Sequence, residues 1–443
     1  MLEYLRLRDV GPGPEFELNL APRLNLFTGD NGVGKTFILD VAWWALTRTW
    51  ARLPARPQRG KGVEPTIEVV LRGASGPRDY ASKFDWPSQS WPGRGRGRPL
   101  NPGMVIYAQS DGGFSVWDPA RNYWKKTAGV DDPNRPPAYL FAPGEVWNGL
   151  PEKAIEPLCN GLIRDWTNWR LERGEADRQL CAVLKDLSES EDEPLLPGKL
   201  VRMSLDDSRD TPTLDLPYQR DVPVTLVSAG MRRIIALAYL LVWTWREHER
   251  ASELLNRPVT RQIVFLIDEL EAHLHPRWQR TVLRSLLSVM NTLTGAAQVP
   301  VQVIAATHSP MVLASMEPLF DAQSDALWHM KLVDRRVVVE REAWYRRGEV
   351  GHWLTSNAFG LAEARSLEAE RAIVRALALY LAESPDPAEI VAVNAALASS
   401  LSDIDPFWLR WRGFVAEHPG SAKTASTKRA GAKKASIEKR GRR

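Results

Sequence analysis

The octapeptide Gly29-Asp30-Asn31-Gly32-Val33-Gly34-Lys35-Thr36 constrains this chain more than any other stretch. It has the form Gly-x-x-x-x-Gly-Lys-Thr. Glycines let the backbone wrap a phosphate so that successive N–H groups point inward, and a helix that follows adds its positive N-terminal end. The spacing assigns Lys35 to the β- and γ-phosphates and the Thr36 hydroxyl to Mg²⁺. The context agrees: the apolar run Leu24-Asn25-Leu26-Phe27 precedes the loop, and a helix-like segment, Thr36–Trp50, follows it.

Two later segments end in chemistry. Ile263-Val264-Phe265-Leu266-Ile267 is an unbroken apolar run, as expected of a parallel strand covered on both faces, and it stops at Asp268-Glu269. A buried strand that stops at paired carboxylates sets them on the sheet's carboxyl edge, where α/β folds bind ligands. Asp268 is the candidate Mg²⁺ ligand beside Thr36, and Glu269 the candidate group that orients and polarises an attacking water. Val301–Ala306 repeats the pattern and runs into Thr307-His308-Ser309-Pro310, which makes His308 a candidate contact to a terminal phosphate. Strand, helix, strand at this spacing predicts an α/β core with a mixed, largely parallel sheet flanked by helices. Ser228 opens a long apolar helix through Trp245, and a serine cap with free N–H groups behind it is a second anion site. Singly, each of these has a plain explanation: solvated acids at a strand end, a bonded turn histidine, a capped helix. Their order behind the glycine loop joins them.

In that order the residues resemble the ABC-type ATPase superfamily, in particular its SMC, RecF and OLD-like branch. Gly29–Thr36 looks like the Walker A element, Ser228-Ala229-Gly230 the signature, and Ile263–Glu269 Walker B. Glu271-Ala272-His273-Leu274-His275-Pro276 resembles the loop after Walker B, and His308 the switch histidine. The resemblance implies bound ATP and Mg²⁺, with each ATP between one Walker A and a partner's signature. Ser228 and the Gly230 backbone then act in trans, in a homodimer or a higher even-numbered oligomer. It also implies a glutamine after an early strand that helps hold Mg²⁺; Gln109, after Met104–Tyr107, is the candidate. The signature departs from the pattern in reading Val-Ser-Ala-Gly. No long heptad run predicts an SMC-type arm. The Toprim nuclease that OLD proteins carry needs a Glu-Gly pair and a later Asp-x-Asp, and residues 316–443 show no such set, having no Glu-Gly pair. His273-x-His275 has a zinc-like spacing, which the resemblance accounts for as interface and pocket groups.

The expected organisation is an N-terminal ATPase lobe over 1–150 with the phosphate loop and a β-rich part, a helical insertion and linker over 151–222, and a C-terminal lobe over 223–340. A helical region over 341–419 and a disordered basic tail over 420–443 follow. The insertion reads as helical from Glu152 to about Leu187, with Trp166 and Trp169 on one face. Residues 51–103 are rich in Pro, Gly and Arg, with Arg94–Arg98 an exposed loop, and residues 206–223 are polar and turn-rich. Asp386-Pro387-Ala388-Glu389 reads as an N-cap, a first-turn proline and a capping-box glutamate.

Charge enters through the tail. The net charge is +4, yet the last 24 of 443 residues hold nine Lys or Arg and one Glu, so the body is mildly acidic. Such a tail suits salt-sensitive, sequence-blind DNA contact, or it solubilises. The longest apolar run, Ile234–Trp245, falls short of the roughly 20 residues that span a bilayer, and the N-terminus lacks a secretory layout. With two cysteines, Cys159 and Cys181, the expectation is a cytoplasmic protein without a membrane partner. Two jobs fit. One is a switch that controls a separately encoded effector such as a nuclease, as in stand-alone OLD-like ATPases of prokaryotic antiviral systems. Pro406–Trp411 is then a partner surface or a local core. The other is a DNA-associated, RecF- or SMC-like repair ATPase. The lack of arms and of a nuclease set favours the switch.

Overall fold

Five segments carry buried apolar side chains on both faces, and they pair in parallel at the centre of an eight-stranded sheet. The computed structural model describes residues 1–60, 62–73, 76–92, 101–122, 126–127, 130–131, 138–151, 157–269, 271–295 and 299–418. In chain order the first elements are β1 (Leu2–Arg8), β2 (Glu15–Asn19), β3 (Leu24–Gly29), α1 (Lys35–Thr47), β4 (Thr66–Gly73), β5 (Gly76–Lys83), β6 (Met104–Ala108) and β7 (Phe114–Trp117). The central sheet runs Tyr139–Phe141, β7, β6, Ile263–Asp268, Val301–Ala306, β3, Asp325–Val333, Arg336–Glu342. The five strands from β6 to Asp325–Val333 are parallel, and antiparallel strands flank them on both sides. Their ends are nearly flush. Ile267 pairs with Ala108 on one side and Ala305 on the other, while Ala306 pairs with Asp268 and Phe27.

Alternation divides the core between the two faces. Ile263, Phe265 and Ile267 pack with the long helix, while Val264 and Leu266 pack with α1. The helices after α1 are α2 (Pro143–Asn148), α3 (Leu162–Glu172), α4 (Glu175–Asp186) and α5 (Ala229–Leu254). From Ile234 to Trp245 α5 is buried on every side, which is why its apolar run belongs to a core rather than a stripe. Among the described residues no helix is long and apolar enough to cross a membrane.

A second sheet, β2-β1-β4-β5, is antiparallel throughout. The buried Gln302 fastens it to the first: its amide oxygen accepts the Leu2 N–H at 2.8 Å and its amide nitrogen donates to the Leu2 and Ala21 carbonyls. This sheet draws two of its strands from residues 51–103. Within that Pro-, Gly- and Arg-rich stretch, Ile67, Val69 and Leu71 alternate inward, and that is enough to pair β4 with β1. In the turn-rich residues 206–223, Leu214, Leu216 and Val222 are buried and Thr213–Leu216 pairs with Gln219–Pro223 as a hairpin. The helical expectation over Glu152–Leu187 holds only in part. Pro157–Cys159 is a short strand, and the helix is broken at Arg173, whose φ of 51° no helix tolerates. Trp166 and Trp169 are both buried on one face of α3. Glu152 to Ile155, Arg94–Arg98 and the basic tail lie outside the described residues.

The chain divides into two compact units, Met1–Trp353 with Asn357–Phe359, and Leu354–Ser356 with Gly360 onward. The second has its own small core between Leu367–Tyr380, Pro387–Ser400 and Phe407–Glu417. Asp386 caps the middle helix by accepting the Ala388 N–H at 2.9 Å, with Pro387 at its first position. Glu389 does not close a capping box; it lies 3.6 Å from Arg375. Trp411 is fully buried against Tyr380 and Phe414, so it belongs to this core rather than to a surface.

Candidate functional site

Four parallel strands deliver the candidate residues to one edge of the sheet. β3 ends at Gly29, β6 runs into Gln109, Ile263–Asp268 into Glu269, and Val301–Ala306 into Thr307-His308.

The phosphate loop turns sharply out of β3. Gly29 has φ 132°, and a Cβ there would lie 2.0 Å from the Met330 carbonyl oxygen, so only glycine fits. Asp30, Asn31 and Gly32 form an exposed crest; Val33 is buried and anchors it. Gly34 precedes Lys35, the first residue of α1. The Lys35 Nζ donates to the Gly29 and Asp30 carbonyls at 2.8 and 2.7 Å, folded onto its own loop. Burial lowers its pKa, and Glu269 and Asp268 oppose that shift.

Thr36 meets Asp268. Its hydroxyl lies 3.0 and 2.8 Å from the two carboxylate oxygens, across 232 residues of sequence. Asp268 is 1% exposed. Three residues missed in the sequence complete this corner. The Arg52 guanidinium is 3.4 Å from Asp268 and 3.1 Å from Asp40, and the Tyr107 hydroxyl donates to Asp40 at 3.0 Å. Asp40 stands four residues after Thr36 on α1, a spacing that puts it on the same helix face and was legible. Its carboxyl is pushed above the usual range by burial, against the pull of Arg52. Gln109 is buried and follows directly on the Ala108–Ile267 pair, so it emerges beside Asp268. Its amide nitrogen donates to the Ser115 hydroxyl at 2.9 Å, which leaves its amide oxygen as the acceptor.

Glu269 and His308 face each other, with Glu269 Oε1 3.3 Å from His308 Nε2. Glu269 adopts φ 49° and its N–H donates to the Ala306 carbonyl at 3.0 Å, which turns it off the strand end. The imidazole pKa is lowered by burial and by Lys35, against Glu269 and Asp268. His308 is therefore the neutral partner of the pair near pH 7.

Ser228 caps α5 by accepting the Met231 N–H at 3.3 Å and is exposed. No hydrogen bond among the described residues joins it to Gly29–Thr36. Gly230 is buried, and a Cβ there would lie 2.7 Å from the His273 carbonyl oxygen, so the Ser228–Gly230 turn packs directly on the loop after Glu269. Arg233, also missed, binds that region together: its guanidinium donates to the carbonyls of Gln109, Ser110, Asp268 and Glu269 at 3.0–3.3 Å. His273 is exposed, while His275 caps a short helix, Pro276–Gln279, and lies 3.2 Å from Glu189.

Residues 164–314, about a third of the chain, match the family described as "AAA domain, putative AbiEii toxin, Type IV TA system". A segment of 109 residues, 24% of this chain and 19% of the relative, is 31% identical to "Retron Vc95 probable ATPase" of Vibrio cholerae. Ninety residues, 20% of this chain and 23% of the relative, are 37% identical to "DNA replication and repair protein RecF" of Magnetococcus marinus. The matched segments thus span about a fifth of each curated relative. Among solved structures, an SMC head domain from Thermotoga maritima is 15% identical with a TM-score of 0.40, over 77% of this chain and 99% of that one. RecF solved with ATPrS is 11% identical with a TM-score of 0.38, over 77% and 98%. With its motifs in family order along the chain, the family and relative matches over its segments support an ABC-type ATPase of the SMC- and RecF-like branch.

Proposed function

We propose that this protein binds ATP with Mg²⁺, hydrolyses it between two copies of itself, and uses that cycle to switch a partner effector. The observation that carries the proposal is the convergence on one sheet edge of Lys35, the Thr36–Asp268 contact and the Glu269–His308 pair, with Ser228 exposed elsewhere.

The donor set suits Mg²⁺: a hydroxyl, a carboxylate already bonded to it, and an amide oxygen are hard oxygen ligands. Thr36, Asp268 and Gln109 would hold the ion, which supplies charge neutralisation on the phosphates. Lys35 exchanges its two loop carbonyls for phosphate oxygens. Glu269 accepts a hydrogen bond from the attacking water and orients it toward the γ-phosphorus, while His308 donates to a γ-phosphate oxygen. The bond from phosphorus to the β,γ-bridging oxygen breaks, leaving ADP and inorganic phosphate. A partner's Ser228 and Gly230 would close the pocket over the same phosphate, so that ATP holds the dimer and hydrolysis releases it.

The relative named as a retron ATPase and the family described as a putative toxin of a Type IV TA system are what supports the switch reading. The RecF relative supports a DNA-linked role instead. One observation weighs against DNA on the second sheet: Arg6, Arg8, Arg72 and Lys83 on its outer face are each paired, with Glu15 and Glu68, Glu68, Glu3 and Glu64 respectively. A gel shift with and without residues 420–443 tests the DNA reading.

Glu269→Gln tests the main one. Phosphate release should fall ~100-fold or more, since a positioned base contributes about 10²–10⁴, while ATP still binds and the ATP-bound dimer accumulates in light scattering. Parental hydrolysis by this variant would remove Glu269 from the mechanism.

A further inference from the structure

The loop after Glu269 holds a carboxylate that the mechanism above leaves unused. Glu271 Oε1 accepts two hydrogen bonds at 2.7 Å, one from the Thr307 hydroxyl and one from the backbone N–H of His308 itself. The Thr307 hydroxyl accepts the Ser309 N–H at 3.0 Å. Ser309 Oγ donates to Gln279 Oε1 at 2.6 Å, and the Gln279 amide returns to the Leu274 carbonyl at 2.9 Å. Residues 307–309 are therefore fastened side by side to the 271–279 loop. At the base, the Thr307 N–H donates to the Phe27 carbonyl at 3.0 Å, which sets the same loop on the strand that carries the phosphate loop.

A charged side chain is an expensive brace here. Burial pushes the Glu271 carboxyl up, the bonds from Thr307 and His308 pull it down, and the like charge of Glu269 raises it further. A neutral acceptor would hold a turn at lower cost. What the carboxylate supplies is a strong, single-oxygen grip on the amide of the residue whose imidazole stands 3.3 Å from Glu269.

We propose that Glu271 is a positioning residue that fixes the His308 imidazole relative to the Glu269 carboxylate. The proposal rests on the reading of Glu269 and His308 as the hydrolytic pair. Glutamine in its place keeps one oxygen able to accept both bonds; alanine keeps none. Both variants remove the same charge, so the difference between them reports geometry alone.

The full chain is compared with Glu271→Gln and Glu271→Ala. In Glu271→Ala kcat should fall about 10- to 100-fold, the scale of an ångström-size misplacement, with the dissociation constant of a fluorescent ATP analogue unchanged. Glu271→Gln should recover most of that loss. A second readout needs no turnover: the imidazole nitrogen resonances of His308, assigned by their loss in His308→Gln, are titrated in nucleotide-free protein. His308 should titrate at higher pH in Glu271→Ala than in Glu271→Gln, because release from burial moves it toward its ordinary value. Parental kcat in Glu271→Ala, or coincident rates and His308 titrations in the two variants, overturns the proposal. A parent chain that hydrolyses no ATP sinks the hydrolytic reading, while the titration still decides the positioning.

Discussion

Replacing Arg233 by Met should destabilise the larger unit by several kcal/mol. The residue lies in the second turn of α5, and its guanidinium reaches four backbone carbonyls from two loops: Ser110 through Nη1 at 3.0 Å, and Gln109, Asp268 and Glu269 through Nη2 at 3.1, 3.3 and 3.0 Å. Nη2 carries only two protons for three acceptors, so the set amounts to about three hydrogen bonds, each worth ~1.5–3 kcal/mol for a charged donor. Methionine fills the space but takes the guanidinium donor from all four carbonyls, of which those of Gln109 and Glu269 keep the N–H groups of Gly112 and Ala272 at 3.1 and 2.9 Å. Against this, the variant escapes the cost of burying the guanidinium, which shows as a lowered Arg233 pKa caused first by burial. The net loss is ~3–5 kcal/mol, the range for breaking one side of a buried charged contact. At roughly 2 °C per kcal/mol for a large domain, that is a fall in Tm of ~6–10 °C. Arg233→Lys, with one ammonium for four acceptors, should fall between. The measurement is thermal unfolding by circular dichroism at fixed pH and salt. A Tm of Arg233→Met within about 2 °C of the parent would show that the loops hold their places without it.

The remaining predictions concern the phosphate loop and pH. Lys35→Ala should abolish binding of a fluorescent ATP analogue or weaken it severely, and unfolding should stay cooperative although the variant also removes two bonds to its own loop; parental affinity would refute the assignment. The lowered pKa of His308 makes the unfolded chain bind the proton more readily than the folded one. Stability should therefore rise with pH across the window from the folded pKa to the ordinary histidine value of about 6.5, and be flat above it as far as this group is concerned. In His308→Gln that part of the slope should vanish from urea unfolding measured between pH 5 and 7; an unchanged slope would place its origin elsewhere, His329 being the next group lowered by burial.

The local structure of the candidate site was legible because it is written in short contiguous runs. A glycine loop between a strand and a helix, or an apolar run ending in Asp-Glu, needs only neighbouring residues to be read, and β3, Ile263–Asp268 and Val301–Ala306 form as those runs predict. Ser228 as the cap of α5 and Asp386 with Pro387 at a helix start are of the same kind. β4 was hidden because its alternation sits inside a stretch whose Pro, Gly and Arg content dominates any window. The break at Arg173 was missed because one left-handed residue leaves no periodic trace.

What only the tertiary structure decided is which ends meet. Strand order brings Thr36 to Asp268 and Glu269 to His308, and nothing in the sequence states that order. Arg233, and Glu271 through the His308 N–H, owe their places to partners that carry no residue signature at all. A backbone carbonyl or amide is the same chemical group everywhere along a chain, so a side chain that binds one is defined by distance in space and by nothing in the letters around it.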